Sequence, residues 1–399
     1  MFTLKKLSPD AVFDLNTRYK ADPNPQKINL GVGAYRTNQG QPWVLPVVRK
    51  AEKLVLEENL DHEYLPISGL EDFNRSAVKL VLGDHKVLAE GRNASVQCLS
   101  GTGALRTGGE YIKRAKPLST VYVSEPTWIL HHTLFKSCGL KVETYPYYNL
   151  ETKSLDFEKL IEFLKDSEKG SVFVLHVCGH NPTGVDPSQS QWMQIAQIMK
   201  QKDLFPFFDS AYQGFATGNL ENDSFAVRLF ADMDMEFLIS QSFAKNFGLY
   251  NERVGCLTAV CSSQNEAEAV HTHFCNITRN LVSNPPAHGA RIVSKILQTP
   301  SLYNEWLDNL NTMVDRIKEI RKQLFDALKE HDTPGNWDHI LNQIGMFSFT
   351  GLTEAQSKMM VEKFHCYMTL NGRISMCGLT TDNVQYFADC LDFVVRNCK

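Results

Sequence analysis

The chain has 399 residues, which at ~150 residues per domain predicts two or three domains and a full-sized core that needs neither disulfides nor metals. Hydrophobic residues at 43% and charged residues at 22% exclude wholesale disorder, and a net charge of −4 argues against a nucleic-acid reader or a membrane-surface protein. The ten cysteines contain no C-x-x-C pair and are too sparse for a disulfide scaffold, so they read as reduced thiols in a core, with no metal site expected.

The N-terminus, MFTLKKLSPDAVFDLN, has no apolar stretch after its basic residues, and no run reaches the ~18 apolar residues of a membrane span. A cytoplasmic protein is expected, and the sequons at Asn74, Asn93, Asn222 and Asn276 read as chance matches.

From about residue 95 short apolar runs alternate with amphipathic stretches, which predicts an α/β fold. The expected strands are Ser95–Leu99, Ser119–Ser124, Ser171–Cys178, Leu204–Phe208, Glu236–Ser242 and Gly255–Val260. Several are continuously apolar, as a sheet covered by helices on both faces requires. A helix is expected over Ser190–Gln201, after the break at Pro187. From near Thr299, Leu302, Trp306, Leu310, Met313, Ile317, Ile320, Leu324 and Leu328 recur every three or four residues. They predict one helix of about thirty residues ending before Asp332, roughly 45 Å long and able to join two domains. The expected division is a large domain over 44–312 and a smaller α/β domain from 1–43 and 313–399.

Open α/β sheets bind ligands beyond the carboxyl ends of their strands. After the first strand, Ser100-Gly101-Thr102-Gly103 opens into a helix, and free backbone N–H groups with two hydroxyls can cradle a phosphate. It matches neither G-x-G-x-x-G nor a Walker loop. Asn181 follows the third strand in His180-Asn181-Pro182-Thr183-Gly184. Asp209 and Tyr212 follow the fourth, and Lys245 follows the fifth. Each alone reads as a solvated loop residue; four polar presentations at four strand ends point to a site. A phosphate cradle, a lysine able to form a Schiff base and a carboxylate for a pyridinium nitrogen are what pyridoxal 5′-phosphate needs. Trp128 could stack on its ring, or be an ordinary core residue.

At this point a resemblance emerges. INLGVGAYR, HEYLPISGL, SGTGALR, HNPTG, DSAYQGFA, QSFAKNFGLYNERVG, SNPPAHGA, IGMFSFTGL and GRISMCGLTT are similar to the aspartate aminotransferase family, cytosolic type, from about residue 10 to the C-terminus. The resemblance implies a type I pyridoxal-phosphate transferase fold, with a large mainly parallel sheet domain and a smaller α/β domain. It also implies that Lys245 carries the cofactor and moves the substrate proton, that Asp209 pairs with the ring nitrogen, and that His131 supports Asp209 from behind. Asn181 and Tyr212 would bind the ring oxygen, and Trp128 would stack on the ring. Ser100, Gly101, Thr102, Ser242 and Arg253 would hold the phosphate, reached by Tyr64 of a neighbouring subunit in a homodimer. Arg373 would take the α-carboxylate of the substrate and the neighbour's Arg279 the distal one, with Gly33 a backbone contact and Phe347 either a wall or plain core. Small dicarboxylic amino acids and oxo-acids are the substrates implied.

Departures from the family pattern are apolar Ile129 and Leu130 before His131, Leu281 and Val282 before Ser283, and Ser375 after Arg373-Ile374. None removes a primary residue. The expected function is therefore amino transfer between L-aspartate and 2-oxoglutarate. A racemase, and a cofactor-binding paralogue with little catalysis, stand as alternatives.

Overall fold

The computed structural model describes residues 4–6 and 9–398. The chain forms two compact units: residues 1–43, 182–184 and 315–399, and residues 44–181 and 185–314.

The larger unit is built on a seven-stranded sheet of β1 (Asn93–Leu99), β2 (Thr120–Glu125), β3 (Lys141–Pro146), β4 (Val172–His176), β5 (Phe205–Ser210), β6 (Phe237–Ser242) and β7 (Val254–Val260). Their order is β1-β7-β6-β5-β4-β2-β3. β7 runs antiparallel to both β1 and β6, and the other pairings are parallel. The α/β expectation with a large, mainly parallel sheet is borne out. β4, β6 and β7 are buried at every position, which is why they are mostly apolar, with His176, Ser240, Gln241, Ser242 and Thr258 as buried polar exceptions.

The six expected strands all form, with ends shifted by no more than two residues. One shift changes the chemistry: Asp209 and Ser210 lie inside β5 rather than beyond it. β3 was missed. It is the sheet edge, its residues Lys141, Glu143 and Thr144 are exposed, and it lacks the apolar run that marks the covered strands.

In the smaller unit the Ala11–Ala21 helix lies with two short strand pairs, Ile28–Asn29 on Cys366–Tyr367 and Phe347–Phe349 on Arg373–Ser375. Pro182–Gly184 joins this unit because Ile344 N donates to Gly184 O (2.8 Å). Gly184 has φ +67°, and a Cβ there would stand 2.8 Å from the Phe347 carbonyl, so only glycine fits.

The expected long helix spans Pro300–Glu330, and all eight of its apolar-face residues are buried. In its second half Arg321 is buried, yet its guanidinium donates to the carbonyls of Ile340 (3.1 Å), Gly345 (3.1 Å) and Phe347 (2.6 Å). Burial lowers its pKa to about 10, still charged at neutral pH. In its first half Trp306 is fully buried, stacks on Phe247 (4.6 Å) and donates from Nε1 to Asn246 O (2.8 Å). All ten cysteines are free thiols, eight of them buried, as the sequence predicted.

Trp306→Ala should lower the unfolding free energy by about 3–5 kcal/mol, because it leaves a large cavity and an unmatched carbonyl. Chemical denaturation measures the loss.

Candidate active site

The larger unit gathers its polar groups at the carboxyl ends of β1, β5 and β6. β1 runs into the Ser100–Ala115 helix, whose N-terminus no side chain caps. Ser100 has φ +61°, and its N–H donates to Arg253 O (3.1 Å). This close approach needs Gly255, where a Cβ would lie 2.4 Å from the Ser100 backbone. Ser100 Oγ and Ser242 Oγ are 2.9 Å apart, and Gly101 lets them close up, since a Cβ there would lie 3.1 Å from Ser242 Cβ. Thr102 is half-buried in the first turn, while Arg253 is exposed at φ +54° and donates to Tyr250 O (3.0 Å). Uncapped N–H groups, two hydroxyls and a guanidinium favour an anion.

Asp209 is buried at the end of β5. Its Oδ2 is 3.0 Å from His131 Nε2, and His131 Nδ1 is 2.8 Å from Thr127 Oγ1. Burial is the strongest influence on the carboxyl and raises its pKa. The His131 hydrogen bond, with the electrostatic influence of His131, His176 and Lys245, overcomes this and leaves it below the ordinary value. An anion is thus held where a ring cation can sit.

Behind it lies a residue the sequence did not single out. His176, inside β4, is buried, with its ring centroid 5.3 Å from that of His131 and neither ring nitrogen hydrogen-bonded. Burial drives its pKa down to about 3, so it is neutral. A histidine in an otherwise apolar buried strand was the available signal.

Lys245 follows β6 by three residues, and its loop is pinned on both sides. Asn246 Nδ2 donates to Gln213 O (3.1 Å), while Asn246 O accepts from Trp306. The Lys245 ammonium lies 5.1 Å from the ring centroid of buried Tyr212. Burial lowers its pKa below the usual lysine value; Asp209 opposes this, and Arg253 adds to it. Trp128 is half-buried, edge-on to His131 at 5.4 Å, and Asn181 is buried in the loop after β4.

The other named residues stand apart from these. Tyr64 and Arg279 are exposed. Asn284 links their segments, accepting from Arg279 Nη1 (3.4 Å) and donating to Leu65 O (2.7 Å). Among the described residues, no hydrogen bond or ion pair joins either of them to Lys245 or Asp209. In the smaller unit Arg373 Nη2 donates to Gly31 O (2.6 Å), and its guanidinium lies 4.5 Å over the Phe347 ring. Phe347, left open by the sequence as wall or core, thus carries the arginine's face, and a Cβ on Gly33 would stand 2.9 Å from that ring. Of the departures, Ile129 and Leu281 are exposed, Leu130 and Val282 half-buried, and Ser375 buried.

An anion cradle, a buried ionised carboxylate and a lysine of lowered pKa fit pyridoxal 5′-phosphate, and the fold with this site defines a pyridoxal-phosphate-dependent transferase. The chain belongs to the class I and II aminotransferase family, whose model matches residues 25–391. Its relatives include the cytoplasmic aspartate aminotransferases of rice (48% identity, covering 99% of this chain and 98% of that one) and chicken (48%, covering 98% and 97%). Among solved structures, the aspartate aminotransferase from Saccharomyces cerevisiae cytoplasm superposes with a TM-score of 0.97 at 45% identity, covering 100% of this chain and 98% of that one. An aromatic-amino-acid aminotransferase from Burkholderia pseudomallei, covalently bound to pyridoxal phosphate, gives 0.96 at 40%, covering 99% of each chain. No helix among the described residues is long and apolar enough to cross a membrane.

Asp209→Asn removes the charge that holds the Lys245 proton, so the lysine pKa should fall further. The pH profile of Lys245 modification by a small amine-reactive reagent, read by mass spectrometry on the cofactor-free chain, should shift to lower pH. Arg253→Gln should shift it the other way.

Proposed function

We propose that this chain moves the amino group between L-aspartate and 2-oxoglutarate, giving oxaloacetate and L-glutamate, in the cytoplasm and as a homodimer. The observation that carries the reading is the pairing of Lys245 with Asp209: an amine whose pKa burial lowers, beside a carboxylate that His131 keeps ionised. The names of the relatives support aspartate as the amino donor, and 2-oxoglutarate follows from the family resemblance of the sequence.

When bound, pyridoxal phosphate supplies an electron sink that makes the substrate Cα–H acidic. Lys245 Nζ would hold the cofactor and, as a free amine, would serve as the acid–base group that takes up the substrate Cα proton and gives it back. Its lowered pKa keeps a free amine available for that step. Asp209 would sustain the ring cation, while Asn181 and Tyr212 would bind the ring oxygen. Trp128 would cover one ring face, and Ser100, Gly101, Thr102, Ser242 and Arg253 would hold the phosphate. Arg373 takes the α-carboxylate as a bidentate fork, its plane fixed by Phe347 and Gly31. Gly33 contributes backbone beside it.

Tyr64 and Arg279 serve the partner's site. Both are exposed on one chain, and Asn284 ties their segments together, so they can be presented as a unit. Arg279 then selects substrates with a second carboxylate.

Purified protein given aspartate and 2-oxoglutarate should produce oxaloacetate, and Lys245→Ala should lower turnover on the order of 10⁴-fold or more. No turnover above that variant would sink the reading, and D-aspartate as the only product would replace it with racemisation. Arg373→Ala should raise KM for aspartate by about tenfold to a hundredfold while the cofactor absorbance persists, since a charge-assisted hydrogen bond contributes ~1.5–3 kcal/mol.

A further inference from the structure

The smaller unit holds a second cationic cavity, of about 240 Å³. Asn16, Tyr19 and Lys20 of the Ala11–Ala21 helix wall it on one side. Lys27 and the extended segment through Arg36 wall it on another. None of the lining residues is a carboxylate. Lys27 Nζ lies 4.8 Å over the Tyr19 ring and donates only to carbonyls, those of Tyr19 (3.0 Å) and Asp22 (2.5 Å). Arg36 Nη1 donates to Tyr35 O (2.9 Å), which leaves the other four guanidinium N–H groups for a ligand. Among the described residues, Lys20, Lys27 and Arg36 form no ion pair. The nearby carboxylate, Asp22, is engaged instead by His365 Nδ1 (2.6 Å), Tyr367 OH (2.8 Å) and Asn24 N (2.8 Å).

We propose that this cavity, lined by Lys20, Lys27 and Arg36, binds a small dianion: inorganic phosphate or a short dicarboxylate. Three like charges around one recess repel one another, and a dianion turns that repulsion into attraction. At ~30 Å³ per water the cavity holds roughly eight waters, room for phosphate or a four-carbon dicarboxylate but not for a nucleotide. It is separate from the Arg373 carboxylate position, because the extended segment alternates its faces. Val32, Ala34 and Arg36 line the cavity, whereas Gly33 turns to Phe347. The proposal is independent of the amino-transfer reading.

The test is calorimetric titration of inorganic phosphate, and separately of succinate, into the cofactor-loaded protein carrying Arg373→Ala. That variant weakens carboxylate binding at the amino-acid position. One equivalent per chain should bind, and adding Lys27→Gln with Arg36→Gln should weaken it by at least about tenfold. The anion that binds more tightly identifies the source. No binding of either anion at 10 mM (roughly a 2.7 kcal/mol interaction at 1 M standard state) would overturn the proposal, as would equal binding by the cavity variant. If the double substitution fails to load cofactor, Lys20→Gln at its exposed position decides instead: about threefold weaker binding supports the site, and no change refutes it.

Discussion

A carboxylate kept ionised inside a covered sheet is the constraint around which this molecule is arranged. Burying an isolated charge is costly, and an unaided Asp209 would take up a proton instead. His131 prevents that, and Thr127 holds His131 in turn, so the β2-to-helix loop is tied to β5. His176 must remain neutral beside them, and its burial ensures that it does. Lys245 completes the balance: Asp209 raises its pKa, burial and Arg253 lower it, and the amine settles below the ordinary lysine value. A substitution at Asp209 or Arg253 therefore also moves the lysine.

The cradle and the lysine loop depend on backbone positions rather than charge. Gly255 allows Ser100 to lie against β7, and Ser100 in turn starts its helix with its N–H groups uncapped. The loop holding Lys245 owes its place to Asn246, gripped by Gln213 and Trp306. Trp306 sits on the long helix, about sixty residues further along the chain, so a core residue there governs where the amine stands.

Most of the sheet was legible because covered parallel strands are built on apolar runs, as the VFVL of β4 and the FLI of β6 are. Lys245 and Asp209 were legible from their place after such runs, and the long helix from its heptad-like face. Strand direction was not legible: nothing in VGCLTAV distinguishes the antiparallel β7 from its parallel neighbours. Nor was the grouping of Pro182–Gly184 with the smaller unit, where Gly184 accepts from Ile344 N and lies close against Phe347 O. The Arg373–Phe347 stack, and the convergence of Lys20, Lys27 and Arg36, depend on folding distances that residue types alone do not carry.

The strand that escaped the sequence reading has a role in how these chains coexist. β3 leaves one line of its backbone groups without a neighbour in the sheet, and an apolar strand in that place would invite another chain to pair there. Lys141 and Glu143, ion-paired at 2.6 Å and both exposed, set charge along that margin, and Pro146 ends it with a residue that has no N–H to offer. The polarity that hides β3 from a hydrophobic search is the same polarity that resists aggregation when the protein is crowded.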